Sequence, residues 1–519
     1  MSRRAFGLIA ATLFAITLAP ALAAQTPSPT APRAEQLRQL DAYIQKGMKD
    51  WGIPGLSVSV VKNDTVILSR GYGVRALGKP GAVDDQTLFG IMSTTKAFTA
   101  MGIAMLVDDG KLKWSDKVTR WVPEFEFPDA FLGREATVKD LLTHDIGFGN
   151  ADLLWVRGDL SRAEIFRRMR FVTPAYSLRS DFVYQNIMFG LAGEVIERAS
   201  GMRWSDFTQQ RILTPLGMTR TRTSYGAMLA THDANQSEPH YRIRDTIRVI
   251  ADDSVDAIPE AGAIWSTAAD MAKWMRFLLD SGRVNGKRLV SEAGYREIMK
   301  PQSFVGAGEF YPTARLTRPH WTTYGLGWFQ QDFRGRFLAF HTGSLDGRTA
   351  IIGLEPDQRV GVYVFGNLDH AEFRHALMLQ AIDLFAGTNG QPVRNWSDEF
   401  LPLYAGIRAS AAKARAAEDA KRVMGTQPSL PLAGYAGTYT HPAWGDLVVS
   451  LVDGALHLQL GAGPLNGGTL GHWNYDTFRA TLGDGRNGPN TFTFLLDPEG
   501  KATRVMLDGS AEYTFVRAP

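Results

Sequence analysis

The stretch GIMSTTKAFTAMGIAMLVDDGKL, Gly90 to Leu112, carries a serine and, three residues on, a lysine. On a helix, positions i and i+3 are neighbours, so the Lys96 amine would stand beside the Ser93 hydroxyl. The later turns are apolar enough to be buried, and burial near a helix N-terminus lowers a lysine's pKa. A neutral amine in that place can take the proton of a serine nucleophile, and the free N–H groups of the first turn would face an oxyanion formed at Ser93. The same spacing recurs at Ser59 with Lys62 and at Ser410 with Lys413. The first pair lies on a strand, where i and i+3 point to opposite faces. The last lies in a charged, alanine-rich helix whose lysine stays in water and protonated.

Two further groups follow in order: Tyr184-Gln185-Asn186 before a helical stretch, and His341-Thr342-Gly343 at the end of a strand. Taken singly, each has a structural reading. Ser93 is an N-cap, Lys96 a surface residue, Tyr184 a core aromatic, Asn186 a helix cap and His341 a satisfied strand-end histidine. The ordered set is what points to acyl-transfer chemistry.

These groups need a scaffold. RAEQLRQLDAYIQKGMKDWG has a helical pattern, and GLSVSVVKNDTVILSRGYGV alternates about an Asn-Asp turn as a hairpin does. Helices fill the middle, and strands return in RFLAFHTGSLDGRTAIIGLEP and RVGVYVFGN. Strands at both ends with helices between them predict an α+β layout, an antiparallel sheet closed by the N- and C-terminal segments. Beyond Gly387 comes an Ala/Lys/Arg/Glu-rich helix, then roughly eight short strands broken by Gly, Asn and Asp turns, the pattern of a small all-β barrel. The expected divisions are a signal peptide over 1–24, a flexible lead-in over 25–35, a catalytic domain over 36–387, a helical linker over 388–430 and the barrel over 431–519.

The 519 residues are 45% apolar and 21% charged, as in ordinary globular proteins. Net charge is +3, with no long basic run, so nothing points to nucleic acid. The N-terminus, MSRRAFGLIAATLFAITLAPALAA, has the two arginines, apolar stretch and small-residue site of a secretory signal. Export to the periplasm or the exterior is therefore expected, with no stable membrane span after cleavage, because no other apolar run approaches the roughly 18 residues a span needs. Cysteine is absent, which excludes disulfides, thiolate-held metals, a thiol nucleophile and a lipidated N-terminal cysteine.

The ordered set Ser-x-x-Lys, Tyr-x-Asn and His-Thr-Gly resembles the serine β-lactamase and penicillin-binding-protein superfamily. It is most similar to the class C β-lactamase-related branch, which includes DD-peptidases, D-aminopeptidases and esterases. LLTHDIGFG and GAIWSTAADMAKW are similar to supporting segments of that branch, and the barrel resembles the lipocalin-like domain of some exported members. The resemblance implies that Ser93 is the nucleophile, that Lys96 and Tyr184 share the proton traffic in an order left open, and that His341 completes the catalytic set. It implies an oxyanion hole of the Ser93 and Ser344 N–H groups, with Asn186 holding a substrate amide and Thr342, Gly343 and Ser344 lining the substrate strand. No metal or organic cofactor is implied. Where most β-lactamases have lysine, position 341 is a histidine, only partly charged near pH 7. Arg348 stands close enough to meet a substrate carboxylate, with a surface role the alternative. A Ser-His-Asp triad of Ser93 with His144 and Asp145 is disfavoured because lysine and tyrosine already fill the base role.

The expected function is thus that of an exported serine hydrolase cleaving amide bonds of small peptides, D-residues included. A carboxylesterase and a weak β-lactamase are alternatives within the superfamily. From another class comes a ligand-binding or sensor protein without turnover, in which the barrel holds an apolar ligand or a partner. The barrel is also a candidate oligomerisation surface.

Overall fold

The computed structural model describes residues 33–519 apart from 244 and 487. The segment read as a signal peptide, and the lead-in up to residue 32, lie outside the described residues. Helix α1 (Arg33–Trp51) begins inside the stretch expected as lead-in. Its buried positions Leu40, Ile44 and Trp51 fall on one stripe, and Tyr43 stacks on Phe373 with ring centroids 5.7 Å apart.

The central sheet has eight strands: β1 (Gly55–Lys62), β2 (Thr65–Gly73), β3 (Ser303–Phe304), β4 (Thr322–Tyr324), β5 (Phe329–Phe333), β6 (Arg336–Leu345), β7 (Arg348–Glu355) and β8 (Val360–Gly366). Their spatial order is β2-β1-β8-β7-β6-β5-β4-β3, antiparallel at every step. The β1–β2 turn places Asn63 at φ 49° and Asp64 at φ 65°. Two successive left-handed residues are what a tight hairpin turn asks for, and Asn and Asp tolerate them best after glycine. Val58 pairs with Val364, so the first and last sheet segments close on each other, as expected.

Helices cover both faces. α1 and α5 (Phe373–Ala386) share a core with Val58, Val60 and Val362. On the other face α2 (Lys96–Asp108) and α4 (Ala268–Leu279) pack against Val61, Ile352 and Phe365. Helix α2 is buried from Lys96 through Leu106, with α3 (Ile187–Ser200) beside it. A helix apolar all round must sit in the interior, and this one carries the candidate base inside with it.

Eight further strands between Gly437 and Arg517 form the closed C-terminal barrel. Its interior is filled by Tyr439, Leu447, Leu458, Phe478, Phe494 and Phe515, all buried. The barrel is therefore a packed core, which removes the physical basis for the apolar-ligand reading. The intervening helix α6 (Trp396–Asp419) is docked by Trp396, Phe400 and Tyr404 and exposed thereafter. The barrel seats on the catalytic domain at two loops. The Arg157 guanidinium donates to the Trp444 carbonyl, and the Arg157 carbonyl accepts from Gly463 N at 2.9 Å. Arg486 pairs with Asp346, in the β6–β7 turn, at 2.9 Å.

Candidate active site

Met92, at φ 46°, turns the chain sharply into a 3-10 turn, Met92–Thr95, from which α2 continues. A left-handed methionine is a strained position of the kind that clusters at functional sites. It leaves Ser93 partly open while its neighbours are buried.

Lys96 is fully buried, and its Nζ donates to Ser93 Oγ at 3.1 Å, Asn186 Oδ1 at 2.7 Å and the Ala261 carbonyl at 2.9 Å. Desolvation lowers its pKa to about 7, against the upward pull of the Asp152 charge. Near neutrality the amine is about half deprotonated and in contact with the serine oxygen.

The Tyr184 ring lies 4.8 Å from Lys96 Nζ. Its hydroxyl is buried with no hydrogen-bond partner of ordinary geometry. Burial drives the phenol well above its usual pKa, and the nearby Ser93 hydroxyl only partly opposes this. Tyr184 therefore keeps its proton while Lys96 readily gives its own up.

Asn186 departs from expectation. Its Oδ1 is taken by Lys96, and its Nδ2 donates to both carboxylate oxygens of Asp152 at 3.0 Å. The amide expected to hold substrate is thus engaged at both ends. Asp152 also accepts from Trp155 Nε1 at 2.8 Å and Asn150 Nδ2 at 3.2 Å. Sequence reasoning missed this carboxylate, which lies in no spacing pattern.

Strand β6 forms the opposite wall, running along the Met92–Thr95 turn. A Cβ at Gly343 would stand 2.3 Å from the Ile91 carbonyl oxygen and 2.9 Å from Met92 Cβ, so only glycine lets the strand approach the turn carrying Ser93 this closely. Ser344 is exposed, and Arg374 donates to its Oγ at 2.8 Å and to the Gly343 carbonyl at 2.6 Å. The Thr342 hydroxyl, expected to face substrate, is bonded to the Tyr311 hydroxyl at 2.5 Å.

His341 also differs from expectation. It is 1% exposed, hydrogen-bonded to the Tyr324 hydroxyl at 2.9 Å and to the Thr342 carbonyl at 2.6 Å. Burial, reinforced by the Lys96 charge, drives its pKa to about 3, so the ring is neutral at pH 7. It touches no reacting atom, and the partly charged anchor foreseen at this position is not there. Arg348 is buried rather than at the surface, bonded to Ser237 and Asp252 and lying 4.6 Å over the Trp265 ring. His144 bonds Tyr324 and the Gln185 N–H, and Asp145 is held by Thr143 and by Ser303 at 2.9 Å, so neither forms a triad with Ser93.

A cavity of about 730 Å³ lined by Leu112, Trp114, Asp140 and Arg179 includes none of these catalytic candidates. A cleft of about 10 Å³ is lined by Met92, Gly262 and Leu345. Among the described residues no three His, Asp or Glu side chains cluster as metal ligands, and no helix is long and apolar enough to cross a membrane.

Comparison with known proteins bears on this geometry. A family model described as Beta-lactamase matches residues 40–386, and a domain of unknown function, DUF3471, matches residues 421–517. Unguisins hydrolase ungD of Aspergillus violaceofuscus (strain CBS 115571) is 28% identical over 450 residues, 80% of this chain and 77% of that protein. Protein flp of Staphylococcus aureus (strain MRSA252) is 26% identical over 340 residues, 64% of this chain and 63% of its own. Among solved structures, the octameric penicillin-binding protein homologue from Pyrococcus abyssi aligns with a TM-score of 0.58 at 22% identity, over 93% of this chain and 100% of that one. SurE with D-Leu aligns with a TM-score of 0.53 at 18% identity, again over 93% and 100%.

Proposed function

The chain belongs to the beta-lactamase family of serine hydrolases, and from that premise we propose that it cleaves amide bonds of small peptides through an acyl-enzyme on Ser93, with Lys96 as the base. The observation that carries this is the 3.1 Å contact between Lys96 Nζ and Ser93 Oγ in a setting that lowers the amine to about pKa 7.

Neutral Lys96 takes the Ser93 proton as Oγ attacks the carbonyl carbon. The displaced electron pair settles on the carbonyl oxygen, facing the N–H groups of Ser93 and Ser344. Collapse breaks the C–N bond, the leaving nitrogen takes the Tyr184 proton, and the Lys96 ammonium restores it. Water then attacks the acyl carbon, gives its proton to Lys96, and Ser93 leaves with that proton.

The charges favour substrates without a carboxylate at the His341 end. His341 is neutral, Arg348 is bound to Asp252, and Arg374 is bound to Glu372. Poor β-lactam hydrolysis follows, because Arg348 and Arg374, the cations named beside β6 among the described residues, are already paired. Tolerance of D-residues belongs to the proposal, in keeping with the D-Leu held by SurE. So does export, supported by the N-terminal pattern alone, and assembly through the barrel, where Val448 and Val516 are exposed.

The test is intact-mass spectrometry of the mature protein and its Ser93→Ala variant after a fluorophosphonate and after a penicillin, with release assays on a D-alanyl p-nitroanilide and a short-chain ester. One adduct on wild type, absent from Ser93→Ala, with anilide release is the expected result. No adduct and no release refutes the hydrolase reading; ester release alone refutes the amide specificity.

A further inference from the structure

Four hydrogen bonds run in series behind the catalytic groups. The Gln185 N–H meets His144 Nδ1 at 3.0 Å, and His144 Nε2 meets the Tyr324 hydroxyl at 3.2 Å. The same hydroxyl meets His341 Nε2 at 2.9 Å, and His341 Nδ1 meets the Thr342 carbonyl at 2.6 Å.

The two ends fix every proton between them. A backbone N–H only donates, so His144 Nδ1 is bare and its ring carries the proton on Nε2. A carbonyl only accepts, so His341 carries its proton on Nδ1 and presents a bare Nε2. The hydroxyl of Tyr324 has one proton, accepts from His144 and must donate to His341. The chain therefore has one direction, from the Gln185 N–H to the Thr342 carbonyl, with both imidazoles neutral and of opposite tautomer.

Its ends lie on opposite walls of the substrate groove. Gln185 sits between Tyr184 and Asn186, and the His144 ring lies 4.2 Å from the Tyr184 ring. Thr342 is two residues from Ser344 on β6. His144 holds a left-handed backbone, φ 59°, uncommon for a buried residue that carries a β-carbon. All three side chains are buried.

Resting on the hydrolase reading above, we infer that Tyr324 is a positioning residue of this enzyme: its hydroxyl joins two neutral histidines into one ordered chain that locks the Tyr184–Asn186 wall to the strand bearing Ser344. His341 thereby acts as the last side-chain link, accepting from Tyr324 and donating to the Thr342 carbonyl, and not as a charge for substrate. The charged and titratable groups around it are Lys96, Arg374, Tyr184, Tyr324 and His144. Arg374, and Lys96 while it is charged, resist a second proton on the ring, which preserves the chain.

The experiment has two parts. In full-length protein labelled with 15N-histidine, long-range 1H–15N spectra, assigned with His144→Gln and His341→Gln, should show His144 as the Nε2–H tautomer and His341 as the neutral Nδ1–H tautomer from pH 5.5 to 8.5. An imidazolium at either site, or a proton on His341 Nε2, overturns the inference. Tyr324→Phe keeps the ring and removes the link. Losing a buried hydrogen-bonded group should lower kcat on the D-alanyl anilide roughly 10- to 100-fold, with KM little changed and the fluorophosphonate adduct still formed on Ser93. Wild-type kcat in Tyr324→Phe also overturns the inference. Should that variant fail to fold, the tautomers of wild type decide alone. If wild type takes no adduct and turns over nothing, the hydrolase reading fails, whereas the spectra still report whether the chain exists.

Discussion

Replacing Lys96 by methionine keeps the unbranched stem and deletes the charge, and its effect on stability should depend on pH in a way no other substitution here would. Burial takes Lys96 from 10.5 to about 7. Each pKa unit is about 1.4 kcal/mol, so at pH 7 the lysine costs the folded state on the order of 4 kcal/mol relative to the charged form in the unfolded chain. Between pH 7 and 10.5 the unfolded chain binds more protons than the folded one, so wild-type stability rises with pH across that window and flattens outside it. The methionine variant lacks this slope. It also leaves Asn186 Oδ1 and the Ala261 carbonyl without their donor, a loss that sets a constant offset but no pH dependence. The stability of wild type minus variant should therefore climb by about 4 kcal/mol from pH 7 to 10.5. Urea unfolding of the catalytic domain, followed by tryptophan fluorescence at half-unit pH steps, measures it. Anilide hydrolysis in the same samples should fall by at least about 100-fold, the usual contribution of a general base. Parallel stability curves, with the gap moving by less than about 1 kcal/mol, would refute a depressed Lys96 and with it the assignment of the base.

Asp152→Asn removes the one charge that holds the Lys96 pKa up, so the acid limb of the kcat/KM profile should move to lower pH; an unmoved limb would show that the carboxylate does not act on Lys96. Gly343→Ala puts a Cβ 2.3 Å from the Ile91 carbonyl oxygen, forcing β6 away from Ser93. Loss of an oxyanion donor typically costs on the order of 100-fold in kcat, and that fall is expected with an unchanged circular dichroism spectrum. Arg374→Met frees the Gly343 carbonyl and Ser344 Oγ and strands Glu372, which Arg374 and His375 together hold well below the usual carboxylate range against burial. An uncompensated buried charge costs about 3–5 kcal/mol, so thermal denaturation should show a clear drop in Tm that Arg374→Lys partly restores.

The α+β sheet and the barrel were legible in the sequence because their signals are local. Alternation and an Asn-Asp pair specify the first hairpin, whose turn residues both take left-handed conformations. The short strands between turn residues from Leu432 onward signal the barrel in the same way. Ser93 with Lys96 was visible because three residues of helix is itself a distance, and the structure brings the two atoms to 3.1 Å. Tyr324 and Asp152 were not visible, since the contacts that tie them to the site, Tyr324 to His144 and Asp152 to Asn186, join separate elements and lie in no spacing pattern. The first helix was legible too, since the pattern beginning at Arg33 is the observed α1, Arg33–Trp51.

What the motifs could not reveal is whether a polar group is still available. Residue type says that Asn186, Thr342, His341 and Arg348 can donate or accept; it does not say that something else already holds them. Buried polar groups find partners because leaving them unpaired is costly, so the deeper a motif residue sits, the more surely the protein has satisfied it before substrate arrives. Asp152 and Lys96 hold Asn186, Tyr311 holds Thr342, and Tyr324 with the Thr342 carbonyl holds His341. By the same logic the groups left for substrate are those the fold has not paired off or has left open. The Tyr184 hydroxyl is buried with no partner, and Ser93 and Ser344 are open to the groove. An unpaired hydroxyl beside Ser93 is costly in the resting protein, and on the mechanism proposed above that cost is recovered when a substrate's leaving group arrives to accept its proton.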